Sequence, residues 1–287
     1  MTRALFIKAM RDGRLLLLSL AIYLFAFAWL NIWASSMISL PAFSEFLASA
    51  LPARLERLSG VPFSQVATTA GRAALVYVHA LVLFGAAAWS IARGSDCVSG
   101  EIGRGTMELL LAEPIGRFTV YATQAAATVL GAALLATAVW CGTAMGLATV
   151  ELPERVTASV FIPPAVNLFG LMVCLGGMSA CVSSWDSQRW RTVGIVAAWY
   201  VFSTVLEIVG RMTNGWHWLT WLSLLSAYSP QLMVAQPAEA WSIWIYRDGG
   251  IAGLGLGGQQ LALVGLGMLC YLAGAVIFSR REIPAPL

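Results

Sequence analysis

The run Leu15-Leu16-Leu17-Leu18-Ser19-Leu20-Ala21-Ile22-Tyr23-Leu24-Phe25-Ala26-Phe27-Ala28-Trp29-Leu30-Asn31-Ile32-Trp33-Ala34 contains no charged residue. A bilayer core about 30 Å thick needs roughly 20 residues of apolar helix, and this stretch has that length. Trp29 and Trp33 fall toward one end of it, where indole rings suit the interface between lipid and water. A cleaved signal peptide is the rival reading. Its apolar core would run to roughly 15 residues at most, and bulky Trp33 stands where small cleavage-site residues are wanted. The segment is therefore expected to be a retained span.

Five further apolar stretches, at 73–92, 120–147, 161–183, 193–210 and 260–279, extend the pattern. Together they predict an all-α, polytopic membrane protein: one domain over 1–287, a bundle of about six transmembrane helices. Composition agrees, with 59% hydrophobic residues, 11% charged and a mean hydropathy of +0.77. A soluble domain carries about 25% charge, so too little polar surface is present to coat a water-facing globule. A net charge of +3 without a Lys/Arg run gives no footing for nucleic acid. Cys97, Cys141, Cys174, Cys181 and Cys270 are scattered without metal or disulfide spacing and read as small buried residues.

Charge placement orients the bundle. With the amino terminus inside, the cytoplasmic segments hold Arg3, Lys8, Arg11, Arg14, Arg93, Arg104, Arg117, Arg189, Arg191, Arg280 and Arg281. The outer segments hold fewer, namely Arg54, Arg57, Arg72, Arg155, Arg211 and Arg247, mixed with Glu45, Glu56, Glu151, Glu154, Glu239 and Asp248. This is the positive-inside bias, and it places a multi-pass chain in the cell (inner or plasma) membrane with both termini cytoplasmic.

Three segments are too short or too polar to span. Residues 1–14 set Phe6, Ile7 and Met10 beside Arg3, Lys8 and Arg11, as a cytoplasmic interfacial helix would. Within 35–72, Phe43, Phe46, Leu47, Leu51, Leu55 and Leu58 recur at helical spacing between Pro41 and Gly60, predicting an external amphipathic helix on the membrane. The segment 211–259 is rich in tryptophan and broken by Pro230, Pro237 and several glycines. Its apolar part, Trp216 to Tyr228, is too short to span and reads as an external re-entrant or interfacial helix.

The most specific stretch lies between the second and third spans: Ser99-Gly100-Glu101-Ile102-Gly103-Arg104-Gly105-Thr106-Met107-Glu108-Leu109-Leu110-Leu111-Ala112-Glu113-Pro114-Ile115-Gly116-Arg117. Thr106 can cap a short helix, and Glu108 then sits in its first turn, where the helix dipole favours an anion. Met107, Leu110 and Leu111 share one face. Pro114 drives Glu113 out of the α region and ends the helix. The product is a short helix with an apolar ridge, which either fills a groove on a soluble partner or lies on the lipid headgroups.

The pattern Glu101, Gly105-Thr106, Glu108-Leu109-Leu110-Leu111, Pro114-Ile115 and Arg117 resembles the signature loop of ABC-2-type transporter permeases. The chain end from Phe278 to Leu287, with Arg280, Arg281 and Pro284, is similar to the family's usual exit from its last span. The resemblance implies a membrane subunit of an ABC exporter whose 93–118 loop contacts a separate ATPase. Glu101, Gly105, Thr106, Met107, Glu108, Leu110, Leu111, Pro114 and Arg117 would be its coupling residues. It also implies that ATP binds only on that partner, with no cofactor on this chain, and that a second permease copy or a paralogue completes the assembly. The chain agrees in lacking a G-x-x-x-x-G-K-[ST] run. The loop does not encode a substrate.

Other signals are weaker. Gly253 to Gly258 matches G-x-G-x-x-G but lies in an expected external loop, so it reads as a flexible turn. Gly142 and Gly146 permit close helix approach in the third span. His79, Gln124 and Asn167 are intramembrane polar groups, expected to face the bundle or a transport path. Glu207 is the carboxylate within a span, and Arg211 four residues on suggests an ion pair, with a role on the transport path as the sharper alternative. Two rival classes remain open: a non-transporting membrane scaffold, and an intramembrane hydrolase built on Ser179 and His79.

Overall fold

The structure is a computed structural model describing residues 2–50, 56–57, 60–213, 215–247 and 250–281. Leu51, Leu55 and Leu58 of the expected amphipathic helix lie outside the described residues, as do Arg54, Asp248 and residues 282–287 of the chain end.

Among the described residues, six helices are long and apolar enough to cross a membrane. The first, α1 (Thr2–Ser36), is a single rod. The sequence predicts an interfacial helix over 1–14 that leads into the first span. Residues 2–14 run into the span without a break, and no proline interrupts the helix before Leu15. At about 1.5 Å per residue such a rod is roughly 50 Å long, so its ends project beyond a 30 Å hydrocarbon slab. After α2 (Leu40–Ala50) and α3 (Phe63–Val66), the second span is built from α4 (Thr69–Val78) and α5 (Ala80–Ser95). It then widens into a π turn (Asp96–Gly100) and ends in α6 (Glu101–Gly103). The short α7 (Met107–Ala112) precedes the third span, α8 (Arg117–Thr149). The fourth and fifth spans are α9 (Ile162–Trp185) and α10 (Arg189–Met212). After α11 (Pro230–Ala235), the sixth is α12 (Leu256–Arg280).

Packing follows side-chain size. The fourth span is the most buried; α9 packs most extensively on α12 and also against α5 and α8, while α1 lies along α8. Leu24, Ala28 and Ile32 of α1 join Tyr77, Val82, Trp89, Leu135, Leu168 and Met172 in the main core. Outward-facing Leu15, Phe84, Trp190 and Leu269 are exposed, as lipid rather than water would require. The Gly142 and Gly146 pair serves the α1–α8 contact: a Cβ at Gly142 would collide with the Phe25 carbonyl, and one at Gly146 with the Ile32 side chain.

The end opposite the 93–118 loop is less regular. Arg72 donates through Nη1 to the Ser35 and Ile38 carbonyls, at 2.8 and 2.7 Å, and so places a cation where α1 runs out of intrahelical donors. The expected helix between Trp216 and Tyr228 is replaced by two 3₁₀ turns, His217–Leu222 and Leu224–Ala227. Ser223 separates them, accepting the Leu225 N–H and donating to the Ser203 carbonyl, and thereby competes with a continuous helical ladder. Between α11 and α12 stands an antiparallel hairpin of β1 (Trp244–Arg247) and β2 (Gly250–Leu254), which the sequence pattern does not announce. From Gly255 onward the glycine run is packed rather than flexible. The Gly257 N–H bonds to the Ser242 carbonyl at 2.8 Å, and a Cβ at Gly255 or Gly258 would collide with a backbone oxygen.

Gly142→Leu should therefore destabilise the bundle by roughly 2–3 kcal/mol through overpacking. Gly265→Leu, where nothing lies within 4 Å, should have little effect. Thermal unfolding in detergent distinguishes them, and equal midpoints would show that the α1–α8 approach is not tight.

Candidate coupling site at the loop end

The π turn owes its position to Ser183 on α9. Ser183 Oγ accepts the Val98 and Ser99 N–H groups at 3.2 and 2.8 Å and donates to the Ser95 carbonyl at 2.9 Å. Donors that a widened helix would leave unpaired are thus satisfied from a neighbouring span. Ser99 Oγ also meets Thr192 Oγ1 of α10 at 3.3 Å.

Around this turn lies a network of buried charge. Arg93 is 5% exposed; it faces Asp96 at 3.5 Å and donates to the Ala9 carbonyl of α1 at 3.0 Å and to Gln124 Oε1 of α8 at 3.3 Å. Asp96 also receives Arg104 at 3.0 Å and Arg189 of α10 at 3.2 Å. Glu101, only 1% exposed, is met by Lys8 at 3.2 Å, Arg104 at 3.1 Å, Gln124 Nε2 at 3.5 Å and the Thr106 hydroxyl. Burial works against the Arg104 charge, but Asp96 and Glu101 more than offset it and raise its pKa.

These contacts change the expected geometry of the loop. Glu101 is enclosed and ties the loop to the bundle. Thr106 does not cap α7; its hydroxyl turns back to Glu101, and its φ and ψ are already helical. Met107 is 1% exposed and sits with Cys97, Val98, Tyr121, Tyr271 and Phe278, while Leu111 packs on the same cluster and Leu110 is half-buried. The expected outward ridge is therefore largely the inward face of α7. The outward face carries Glu108, Leu109, Ala112 and Glu113, with Leu109 71% exposed.

The remaining loop residues stand as their types predict. Gly105 makes the turn into α7 at φ +68, which a side chain would disfavour. Glu113 is extended before exposed Pro114. Arg117 donates to the Arg281 carbonyl, and Arg281 reaches the Ser184 and Asp186 carbonyls at 3.1 and 2.9 Å. Positive residues assigned to one side by sequence thus meet at one end of the bundle.

The four intramembrane polar residues have different partners. Gln124 belongs to the charge network. Asn167 clamps the 3₁₀ segment, donating to the Ala227 carbonyl at 3.0 Å and accepting the Ser229 N–H at 3.1 Å. His79 breaks the second span with ψ 133, is exposed, and rests against Phe27 of α1 with ring centres 4.7 Å apart. Its Nδ1 accepts the Leu81 N–H, and the Tyr77 carbonyl accepts the Tyr228 hydroxyl. Glu207 pairs with Arg211 at 2.6 Å, as the spacing suggests. Ser179 donates to the carbonyl of Ile91, a residue about 18 Å along the second span from His79, which separates the imagined dyad. Among the described residues no group of His, Cys, Asp and Glu is placed to hold a metal.

Sequence reasoning misses Asp96, Arg93 and Arg189 as a unit. Their signal is present as opposite charges at neighbouring span ends, but their pairing depends on how the spans cross. Glu101→Ala would remove the carboxylate shared by Lys8, Arg104 and Thr106; both cations are partly exposed and keep Asp12 and Asp96, so the cost should be about 1–2 kcal/mol. Glu108→Ala, on the exposed face, should stay within about 0.5 kcal/mol. Thermal unfolding with limited proteolysis of the 93–118 loop measures both; indistinguishable variants would refute the assigned roles. No protein-family model and no curated protein sequence matches the chain.

Proposed function

We propose that this chain is the membrane-spanning permease subunit of an ABC-2-type exporter, driven by a separate ATPase that presses on α7. The observation that carries the reading is the placement of α7: a short helix lies across the end of the bundle, anchored beneath by Met107 and presenting Glu108, Leu109, Ala112 and Glu113 outward. An apolar residue between acidic neighbours suits a groove with an apolar floor and basic rim.

A push on α7 would reach every span. Thr106 leads to Glu101 and thence to Lys8 of α1 and Gln124 of α8. Asp96 leads to Arg189 of α10, Ser183 ties in α9, and the Met107 cluster includes Tyr271 and Phe278 of α12. In this reading the loop end and both termini face the cytosol of a cell membrane, and the assembly contains a second permease copy or a paralogue. The substrate-moving step is a change in span tilt transmitted through these contacts.

The test is isolation of the tagged chain from its native membrane. A Walker-A-containing ATPase should accompany it, and Leu109→Asp or Glu108→Arg should reduce that association at least about tenfold while leaving the unfolding midpoint unchanged. A reporter fused at Gly103 should read the cytosolic side. An external reporter signal, or a complex consistently lacking an ATPase, would refute the proposal and favour a scaffold.

A further inference from the structure

The opposite end of the bundle contains a cleft of about 510 Å³ between α5, α10 and the segment leading into α11. Leu83, Ile208 and Leu232 line it with apolar surface, and Glu207 stands in its wall. Glu207 is 8% exposed. Its Oε1 is held by Arg211, whereas Oε2 is buried and has no hydrogen-bond partner. A buried acceptor without a donor is unusual enough to require a cause. The terminal torsion of a glutamate is soft, so a modest rotation of the carboxylate, with Arg211, which also lines the cleft, following it, brings the second oxygen toward a ligand.

We infer that this cleft binds an amphiphile carrying a protonated amine, with the ammonium donating to Glu207 and the apolar body against Leu83, Ile208 and Leu232. An ionised carboxylate only accepts, which selects a donor head, and a charged N–H donor makes the stronger bond. The cleft volume falls within the range of sites for small organic molecules. The inference stands on this cleft alone and does not depend on an ATPase at the other end.

Octylamine is a suitable probe, titrated calorimetrically into the full chain in phosphatidylcholine nanodiscs with empty nanodiscs subtracted. One saturable site per chain is expected, with octanol and the Glu207→Gln variant each weaker by about tenfold or more. Leu232→Trp, which fills the cleft without altering the carboxylate, should abolish the saturable component. Should Glu207→Gln fail to fold, the octanol comparison and Leu232→Trp decide the matter. Absence of a saturable site, equal binding of octanol, or octylamine binding unchanged by Leu232→Trp would overturn the inference.

Discussion

A carboxylate as enclosed as Glu101 is tolerable in a helical bundle only when cations and donors surround it, because an isolated buried charge costs several kcal/mol. Its partners come from different parts of the chain: Lys8 from α1, Arg104 and Thr106 from the loop, and Gln124 from α8. Sliding any one of these elements by a turn would take a partner from the charge. The network thereby reinforces the register of α1 against the second and third spans, which the close approach at Gly142 and Gly146 also sets for the third.

Asp96 extends the same constraint to the fifth span through Arg189, and the π turn between the two acids brings in the fourth through Ser183. These links explain why a widened turn persists at this position. Its displaced N–H groups are satisfied by Ser183, and the two flanking carboxylates are satisfied by different spans. The short α7 then rests on a surface that is already held together. Its inward methionine adds apolar contact, and its outward residues remain available.

The spans are legible because lipid imposes a simple rule on sequence: about 20 apolar residues in a row, with charges near the ends. Gly142 and the Glu207–Arg211 pair are legible for similarly local reasons, a helical spacing of four. The orientation of α7 is not. Met107, Leu110 and Leu111 mark an apolar face, but periodicity alone cannot say whether that face meets a partner or the protein's own core. Nor can it show that Thr106 prefers Glu101 to a helix cap, since that choice depends on a carboxylate held nearby by Lys8. The hairpin before α12 is hidden by tryptophans that suit an interfacial helix equally well.

The two ends of the bundle solve the problem of interrupted helices differently. At the loop end, charges and Ser183 join each interruption to several spans. At the other end, the break at His79 is closed by Tyr228, and Asn167 holds the following turns, but the Glu207 carboxylate retains an unpartnered oxygen beside a cleft. The first arrangement resists independent movement of its elements, because moving one would expose charges belonging to others. The second, among the described residues, is held by the bonds of Tyr228, Asn167 and Arg72 and by the Glu207–Arg211 pair within the fifth span.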